Sequence, residues 1–427
     1  MINILRCDNP AEVSALLARE GEAADVTAAV ADILQAVRRD GDRAVGELTA
    51  RFDGVRPEAL EVTQEELDEA VAQTDRDFLD ILTQARDNIR AYHQKQLRTG
   101  FLMAEQPGVV LGQKVTPLDR VGIYVPGGTA AYPSTVLMDA VPARLAGVGE
   151  IIMVSPPGRD GRIGSDILAA ARLAGVDRIF KVGGAQAVAA LAYGTQSIPR
   201  VDKIVGPGNQ YVATAKQLVY GQVDIDMIAG PSEVLIIADD TANPVHLAVD
   251  LLAQAEHDPL AACFLVTTSE VLAQAVAAEL PRQLATLPRR GIAEAAIRDN
   301  SAIILTPTLD CAAAISNQIA PEHLEVVTAD PFALLSQIKH AGSIFLGGYS
   351  PEALGDYFAG PNHTLPTSGT ARFSSGLSVD DFLKKSSVIC YNREALAGAA
   401  RQVVTFATRE GLHAHARSVS IRMEESQ

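Results

Sequence analysis

The chain has 427 residues, a formal net charge of −16 and 48% hydrophobic residues. Its length predicts two or three domains, at roughly 100–200 residues per domain. The acidic excess argues against nucleic acid and anionic membranes as partners, because both attract basic surfaces. No apolar stretch approaches the roughly 18 residues of a membrane span, and the first residues lack the layout of a signal peptide. We therefore expect a cytoplasmic protein.

The first 100 residues or so are expected to be helical. Apolar residues recur at helical spacing over 16–45, with charged residues between them, and a second long helix is predicted over 64–96. The charges of this region most simply form a solvated helix face.

From Arg120 onward, short apolar strands alternate with turns and Ala-rich helices. A first series of strands is predicted at 121–125, 151–154, 179–182 and 204–205, and a second at 234–238, 264–266, 303–305, 326–327 and 344–346. Strand-turn-helix units at this spacing predict parallel sheets with helices on both faces. Right-handed crossovers then place the glycine turns at the carboxyl edge of the sheet, where ligands bind.

Two glycine turns, at 183–186 (GGAQ) and 206–209 (GPGN), lie between predicted strands and helices. Glycine lets the backbone approach a ligand, and a helix N-terminus favours an anion. Neither turn matches the G-x-G-x-x-G dinucleotide fingerprint. A tight turn in a parallel sheet is the alternative explanation for each.

Two of the eight histidines directly follow a glutamate. His257 ends an apolar helical run and lies three residues after Gln254, so both can share one helix face. Glu322 and His323 precede a short strand, where one could act as a base and the other activate water. The alternatives are a polar capping cluster at 254–257, and a surface glutamate beside a structural histidine at 322–323.

Further histidines occur in a loop and near the C-terminus. Asp356 and His363 flank a run, YFAGPN, that indicates an ordered loop, and His413 and His415 lie in the last segment. Histidines near a chain end are usually surface residues, unless the tail folds back or crosses to a second subunit. Histidine with carboxylates can hold a divalent metal or transfer protons near neutral pH, which favours an enzyme over a binding module.

Together, and in this order, these segments resemble histidinol dehydrogenase. The resemblance rests on VGIYVPGG, VGGAQAVAALAYGT, DKIVGPGNQYV, AGPSEVLIIAD, LLAQAEHDP, APEHLE, AGSIFLG, GDYFAGPNHTLPT and the C-terminal EGLHAH, which span most of residues 120–415. It implies oxidation of L-histidinol to L-histidine in two NAD-dependent steps through the aldehyde, with one zinc ion per subunit. It also implies a homodimer in which one subunit's C-terminal tail completes the partner's site.

The resemblance also implies the roles of individual residues. The metal ligands would be Gln254, His257, Asp356 and His415, although an error of register would exchange His415 for His413. Proton transfer would use Glu322 and His323, with His323 as the base for the hydroxyl and Glu322 activating water at the aldehyde. Tyr124, Gln186 and Asn209 would line the NAD site. The substrate contacts would be Ser232, Gln254, His257, His323, Asp356, His363, Glu410 and His415.

We accordingly predict an α/β fold of two Rossmann-like parallel-sheet domains without the usual fingerprint, plus a helical N-terminal segment and a helical C-terminal tail. The expected parts are an N-terminal arm (1–22), a discontinuous first α/β domain with the metal and catalytic residues (23–123 and 233–377), a second α/β domain on the NAD side (124–232) and the tail (378–427).

Two other functions are compatible with parts of the pattern. A metallohydrolase, in which Glu322 activates a zinc-bound water, would explain the histidines and acids but leave both glycine turns without a role. A non-catalytic binding protein of two α/β lobes would not need the Glu-His pairs. Only a dehydrogenase uses both sets of residues.

Overall fold

The computed structural model describes residues 2–13, 25–127 and 132–424. Its strands are β1 Asn3–Arg6, β2 Phe101–Met103, β3 Val109–Pro117, β4 Arg120–Tyr124, β5 Glu150–Ser155, β6 Arg178–Lys181, β7 Lys203–Val205, β8 Asp224–Ile225, β9 Glu233–Ala238, β10 Ala262–Thr267, β11 Ala302–Leu305, β12 His323–Val327, β13 Ser343–Leu346 and β14 Leu383–Tyr391.

The α-helices are α1 Thr27–Asp40, α2 Asp42–Phe52, α3 Gln64–Gln73, α4 Arg76–His93, α5 Pro133–Ala146, α6 Ser165–Ala174, α7 Gly184–Tyr193, α8 Gln210–Val219, α9 Pro244–Ala255, α10 Glu270–Leu284, α11 Arg290–Asp299, α12 Leu309–Ile319, α13 Pro331–Leu335, α14 Glu352–Tyr357, α15 Arg393–Arg409 and α16 His413–Glu424. Short 3₁₀ turns occur at Pro10–Glu12, Gln94–Gln96, Thr370–Arg372 and Val379–Phe382.

Two parallel sheets share one strand order. The six-stranded sheet runs β1-β11-β10-β9-β12-β13, and the five-stranded sheet runs β6-β5-β4-β7-β8. All their pairings are parallel. Counted from β9 and from β4, each sheet has the order 3-2-1-4-5 of a doubly wound fold, and β1 adds an edge strand to the first. The predicted pair of Rossmann-like sheets is confirmed.

The sequence explains these sheets, because strands covered on both faces must be apolar throughout. Every residue of β10 and β11 is buried. Ala-rich α7 packs closely on the five-stranded sheet. A Cβ at Gly122 of β4 would lie 2.8 Å from the Leu191 side chain of α7, so this approach requires glycine. Helix α5 ends at Gly147, whose left-handed conformation suits a helix end.

The N-terminal region differs from expectation in two ways. Asn3–Arg6 is a strand that pairs with β11, not part of a helical arm, and residues 14–22 of that arm lie outside the described residues. The long helix expected over 64–96 is broken: Thr74 is extended and Asp75 caps a new helix by accepting from the Phe78 amide. A capping aspartate competes with continued helix and starts the next one.

The helices of this region pack on the five-stranded sheet. Residues of α1 and α2 share a core with Tyr124 and Phe180, and residues of α3 and α4 share one with Val121. The domain that was predicted to combine 23–123 with 233–377 stays a prediction. The buried side chains of α1 to α4, however, pack against strands between residues 120 and 205.

Residues Leu97–Pro117 and Leu383–Gln427 form a second compact unit, separate from Met1–Gln96 with Leu118–Phe382. Strand β14 pairs antiparallel with β3 along its whole length, and β2 pairs with the other edge of β3. The tail over 378–427, expected to be helical, therefore contains a strand, which follows the 3₁₀ turn at Val379–Phe382. The sequence did not indicate this strand, because its partner β3 lies far earlier in the chain. Helices α15 and α16 follow it as expected.

Within the described part of the chain, no helix combines the length and the apolar character that crossing a membrane requires. All four cysteines are free thiols; Cys7 and Cys263 are buried, Cys311 is half-buried and Cys390 is exposed.

Candidate active site

The predicted catalytic and metal residues of the first unit gather at the amino edge of the six-stranded sheet. Ser232 directly precedes β9, Glu322 precedes β12, and His257 lies between α9 and β10. This edge is opposite to the carboxyl edge expected from the fold class. The chain explains it: α9 follows β9 and returns antiparallel to the sheet, so its last turn ends where β10 begins.

Helix α9 carries Gln254 in its last turn, and His257 lies two residues beyond its end. Asn243 caps the helix by accepting from the Val245 amide, and Pro244 occupies the first turn. Gln254 is fully buried near the helix end. Its carbonyl accepts from the His257 amide at 3.2 Å, which turns the chain back over the helix end.

Within the described parts of the chain, one ring nitrogen of His323 is hydrogen-bonded and the other is not. Nδ1 lies 3.1 Å from the main-chain oxygen of Glu233. A carbonyl only accepts, so Nδ1 carries the proton in the neutral ring. Nε2 lies 3.7 Å from Oδ1 of Asp356, too far for a hydrogen bond. It has no hydrogen-bond partner among the described residues, so Nε2 is the ring position at which a proton can be gained or lost.

Glu322 is fixed beside this ring. Its Oε2 accepts from the Glu233 amide at 2.9 Å and lies 3.7 Å from Nδ1 of His323. Burial raises the pKa of Glu322 to about 7, although the neighbouring His323 acts to lower it. A carboxyl group that titrates near neutrality can both accept and release a proton.

Three side chains form a possible metal-binding group. Ligand atoms of His257, Glu352 and Asp356 lie within 4.8 Å of one another. An imidazole with carboxylates is a donor set that zinc accepts. Glu352, which the sequence interpretation missed, lies four residues before Asp356 on α14. That i, i+4 spacing, which puts two acids on one helix face, is the signal that could have found it.

The electrostatics of this cluster separate its histidines. Burial lowers the pKa of His257, and Asp356 only partly opposes this, so its imidazole is neutral, as a metal ligand must be. Burial alone would lower the pKa of His323, but Glu352, Glu322 and Asp356 raise it well above its ordinary value. Burial favours a protonated Asp356, yet His323 and the other nearby imidazoles hold its pKa below the ordinary value.

A second acidic pair, not foreseen from the sequence, lies behind the cluster. Glu325 is buried on β12, and its Oε1 accepts from the Glu352 amide at 2.9 Å. It also forms a hydrogen bond with Asp250 of α9. Burial and the charge of Asp250 raise the pKa of Glu325 to about 8. The pair therefore holds a proton at neutral pH.

His363 joins the cluster through the loop that follows α14. Its Nδ1 lies 3.0 Å from the Asp356 carbonyl oxygen, and its Nε2 lies 3.3 Å from Oγ1 of Thr135 on α5. Burial lowers the pKa of His363, although Asp356 opposes this. The predicted substrate contact thus lies beside the predicted metal ligand Asp356.

The three predicted NAD residues line one large cavity, of about 1630 Å³, beside the carboxyl ends of β4, β5 and β6. Tyr124, Gln186 and Asn209 all contribute to its wall. The turn at 183–186 follows β6 and the turn at 206–209 follows β7, so both lie at carboxyl ends of strands, as expected. The cavity matches the place where a doubly wound sheet binds its ligand.

Local structure accounts for each of these side chains. The Gly184 amide, at the start of α7, donates to the Tyr124 hydroxyl at 2.9 Å. Burial raises the pKa of Tyr124 to about 12, so it stays a neutral phenol. Gln186 is buried, and its Oε1 has no hydrogen-bond partner within the described ranges. Asn209 caps α8 by accepting from the Tyr211 amide at 3.0 Å.

The remaining predicted residues belong to the second unit. His413 and His415 are exposed on α16, and Glu410 is exposed at the end of α15. Glu410 also lines a cavity of about 510 Å³ on α15. Their predicted roles at the site stay predictions.

Comparison with known proteins gives one consistent result. The family model described as histidinol dehydrogenase matches residues 17–423. Histidinol dehydrogenase of Geobacillus kaustophilus (strain HTA426) is 57% identical over 399 residues, 93% of this chain and 94% of that protein. The same enzyme of Syntrophotalea carbinolica (strain DSM 2380 / NBRC 103641 / GraBd1) is 56% identical over 432 residues and the whole of both chains.

A solved structure shows the same similarity in three dimensions. The crystal structure of histidinol dehydrogenase from Elizabethkingia anophelis has a TM-score of 0.94 and 37% sequence identity to this chain. The match covers 99% of this chain and 98% of the other. The similarity therefore extends over nearly the whole chain.

Proposed function

The chain belongs to the histidinol dehydrogenase family, and from this premise we propose that it oxidises L-histidinol to L-histidine, the last steps of histidine biosynthesis. The reaction would proceed in two hydride transfers to NAD, through L-histidinaldehyde. The single observation that carries the proposal, beside the family, is the open Nε2 of His323 within a cluster of carboxylates. Alcohol oxidation needs such a base to remove the hydroxyl proton as hydride leaves.

His323 is the proposed base. The Glu233 carbonyl fixes the tautomer and the ring orientation, so that Nε2 faces the cluster. The surrounding carboxylates favour the protonated ring. If Asp356 and its neighbours held a cation, their negative charge would be offset, and the pKa of His323 would fall toward the range in which imidazole accepts a proton.

Glu322 is proposed to act after the first oxidation. The aldehyde must be hydrated before a second hydride can leave, and Glu322 would remove a proton from the attacking water. A carboxyl pKa of about 7 suits that task near neutral pH. Because the Glu233 amide holds one of its oxygens, the other oxygen is the one proposed to receive the proton.

Zinc is the proposed metal, held by Gln254, His257, Asp356 and, from the C-terminal tail, His415. When bound, it would supply a positive centre that holds the substrate's amine and imidazole. The neutral imidazole of His257 and the ionised Asp356 are in the protonation states that ligation requires. Glu352 lies within the same group, but burial raises its pKa well above the ordinary value, so it would have to lose a proton before it served as a further carboxylate donor.

NAD is the proposed hydride acceptor, with Tyr124, Gln186 and Asn209 on its cavity wall. The amides at the start of α7 would bind the anionic cofactor, since a helix N-terminus attracts negative charge. This arrangement replaces the usual glycine fingerprint. We further propose a cytoplasmic homodimer in which His415 and Glu410 of one subunit complete the partner's site.

The test follows absorbance at 340 nm with purified protein, NAD⁺ and L-histidinol, with and without a zinc chelator. We expect close to two NADH per histidinol, loss of activity on chelation and recovery with added zinc. No NADH from folded, zinc-loaded protein would contradict the proposal and favour the metallohydrolase, in which Glu322 activates a zinc-bound water.

A further inference from the structure

Helix α5 and the 362–364 loop are joined by three contacts. The loop follows α14 and carries His363, whereas α5 follows β4 of the five-stranded sheet. The contacts are Thr135 Oγ1 to His363 Nε2 at 3.3 Å, Asn362 Nδ2 donating to the Met138 carbonyl at 2.6 Å, and Thr364 Oγ1 donating to Asp139 Oδ1 at 2.9 Å. One helix therefore holds three successive residues of a loop more than 200 positions away.

The contact between Asp139 and Thr364 is fully enclosed. Asp139 is 0% and Thr364 5% exposed. Water cannot easily replace a buried hydrogen bond, so the loss of either partner leaves the other unsatisfied. Thr364 also donates its amide to Oδ1 of Asn362 at 2.9 Å, so the loop is a tight turn with His363 in the middle.

The second carboxyl oxygen of Asp139 lies beside the turn at 206–209, which leads to the proposed NAD residue Asn209. This oxygen, Oδ2, lies 3.0 Å from the position that a Cβ on Gly206 would occupy, and Gly206 has φ +109°. The turn is itself fixed from behind: its amide donates to Asp226 at 2.8 Å, and Lys216 donates to its carbonyl at 2.9 Å. Lys216 and Asp226 form a buried ion pair. Asp139 thus lies between the turn that leads to Asn209 and the loop that carries His363.

We propose that Asp139 is a positioning residue that sets the place of His363 through its hydrogen bond with Thr364, in fixed relation to the Gly206 turn. The inference rests on the proposed function, in which His363 contacts histidinol and the turn lines the NAD site. Asp139 itself touches neither substrate nor cofactor in this role. It acts by holding the loop that carries His363 at a fixed position relative to the Gly206 turn.

The charge of Asp139 is consistent with this role. Burial and the nearby Asp226 raise the pKa of Asp139 well above its ordinary value. A neutral carboxyl group still accepts from Thr364, and it places no second negative charge beside Asp226. The link therefore holds throughout the pH range in which the enzyme would work.

The consequence for activity is selective. His363 is held by the Asp356 carbonyl on one side and by α5 on the other. If Thr364 loses its acceptor, the loop can shift, and substrate binding suffers from misplacement of a contact by a fraction of an ångström. The Gly206 turn keeps its bonds to Lys216 and Asp226, so NAD binding should hardly change.

The experiment compares Thr364→Val, which removes the hydroxyl at nearly constant shape, with Thr364→Ser, which retains it. In zinc-loaded enzyme we expect the KM for histidinol to rise roughly 5–10-fold in Thr364→Val, as for one lost buried hydrogen bond, while the KM for NAD⁺ stays within about twofold. Thr364→Ser should restore histidinol KM to within about twofold of wild type. Calorimetric binding of histidinol without NAD⁺ should weaken in Thr364→Val by the same factor.

The opposite results are equally definite. Equal increases in both KM values, or unchanged histidinol affinity with only a lower Tm, would show that the contact merely stabilises the fold. If Thr364→Val does not fold, Asp139→Asn, which keeps an acceptor, and Asp139→Leu, which removes it, make the same comparison. A wild-type enzyme that does not oxidise histidinol would contradict the proposed function instead, which separates the two failures.

Discussion

The main-chain oxygen of Glu233 lies 3.1 Å from Nδ1 of His323 and thereby leaves Nε2 as the open nitrogen of the imidazole. The first residue of one strand orients the first residue of its neighbour, because β9 and β12 pair directly. The Glu233 amide meanwhile holds Glu322. A single peptide segment therefore fixes both residues of the proposed proton-transfer pair, and their separate roles can be tested by substitution.

Replacement of His323 by alanine should remove the base and leave the metal site intact. We expect turnover to fall by about 10²–10⁴, the usual contribution of a general base, with zinc still present at the wild-type level. Steady-state kinetics and metal analysis of the same preparation measure both. The control is His246→Ala, which removes an exposed histidine from the first turn of α9. Near-normal turnover of His323→Ala would exclude the role.

Glu322→Gln should affect the second oxidation more than the first. The amide keeps an acceptor for the Glu233 N–H but cannot take a proton from water. Single-turnover stopped flow at 340 nm separates the two hydride transfers, so the first phase serves as an internal control. We expect the second phase to slow by about 10²-fold or more and the first to change little. Equal slowing of both phases would contradict a role confined to the aldehyde step.

The sequence predicted the strands well, because strands buried on both faces are continuous apolar runs that end at glycine or proline turns. It could not predict β1 or the pairing of β3 with β14, since a strand at an edge is identified by a partner hundreds of residues away. The break between α3 and α4 depends on one capping side chain, Asp75, within a pattern that otherwise favours one helix.

The site shows a similar division. Residues in long recognisable segments, such as His257 and His323, could be named from the resemblance. Glu352 and Glu325 were not among them. The i, i+4 spacing of Glu352 and Asp356 predicts a shared helix face but not what that face contacts, and Glu325 is an isolated acid, which in a sequence is most often a surface residue. Only the folded structure shows that both carboxyl groups are buried, where α14 lies beside β12. The amino-edge position of the site also follows from where helices return, which no local pattern shows.

The buried pair of Glu325 and Asp250 should make stability depend on pH. Native Glu325 keeps its proton to about pH 8, whereas the ordinary value is 4.5. The native state therefore binds more protons between these values, and stability falls as pH rises through the window. Glu325→Gln has no carboxyl group to bind this proton, so its free energy of unfolding does not decrease in this way. Relative to wild type, its stability should therefore increase with pH, by on the order of 1–3 kcal/mol between pH 5 and 8.

Denaturant unfolding of the metal-free protein at several pH values measures this difference without a contribution from metal affinity. The matched control is Glu58→Gln, at an exposed position, which should show the wild-type pH dependence. If the free energy of unfolding of Glu325→Gln changes with pH as in wild type, the Glu325 carboxyl group is not protonated in the native state, and this explanation of the buried pair is wrong.

Removal of the metal should abolish oxidation without unfolding the protein, because the cluster lies at a sheet edge and the two parallel sheets have their own apolar cores. Chelator-treated enzyme should be inactive, with an unchanged circular dichroism spectrum, and zinc should restore it. His257→Ala should contain less zinc after dialysis against a weak chelator than His246→Ala, its surface control. Full zinc retention in His257→Ala would remove that residue from the ligand set.

Mixed dimers can show whether His415 completes the site of the partner. His415→Ala and His257→Ala should each be inactive as pure dimers. If tails are exchanged, one site of the heterodimer carries both lesions and the other carries neither, so random subunit exchange should restore about one quarter of the wild-type activity. If each tail serves its own chain, every site in every dimer carries one lesion and no activity returns. Subunit exchange in mild denaturant followed by the NADH assay distinguishes these outcomes, and a wild-type sample taken through the same treatment measures any loss caused by the exchange itself.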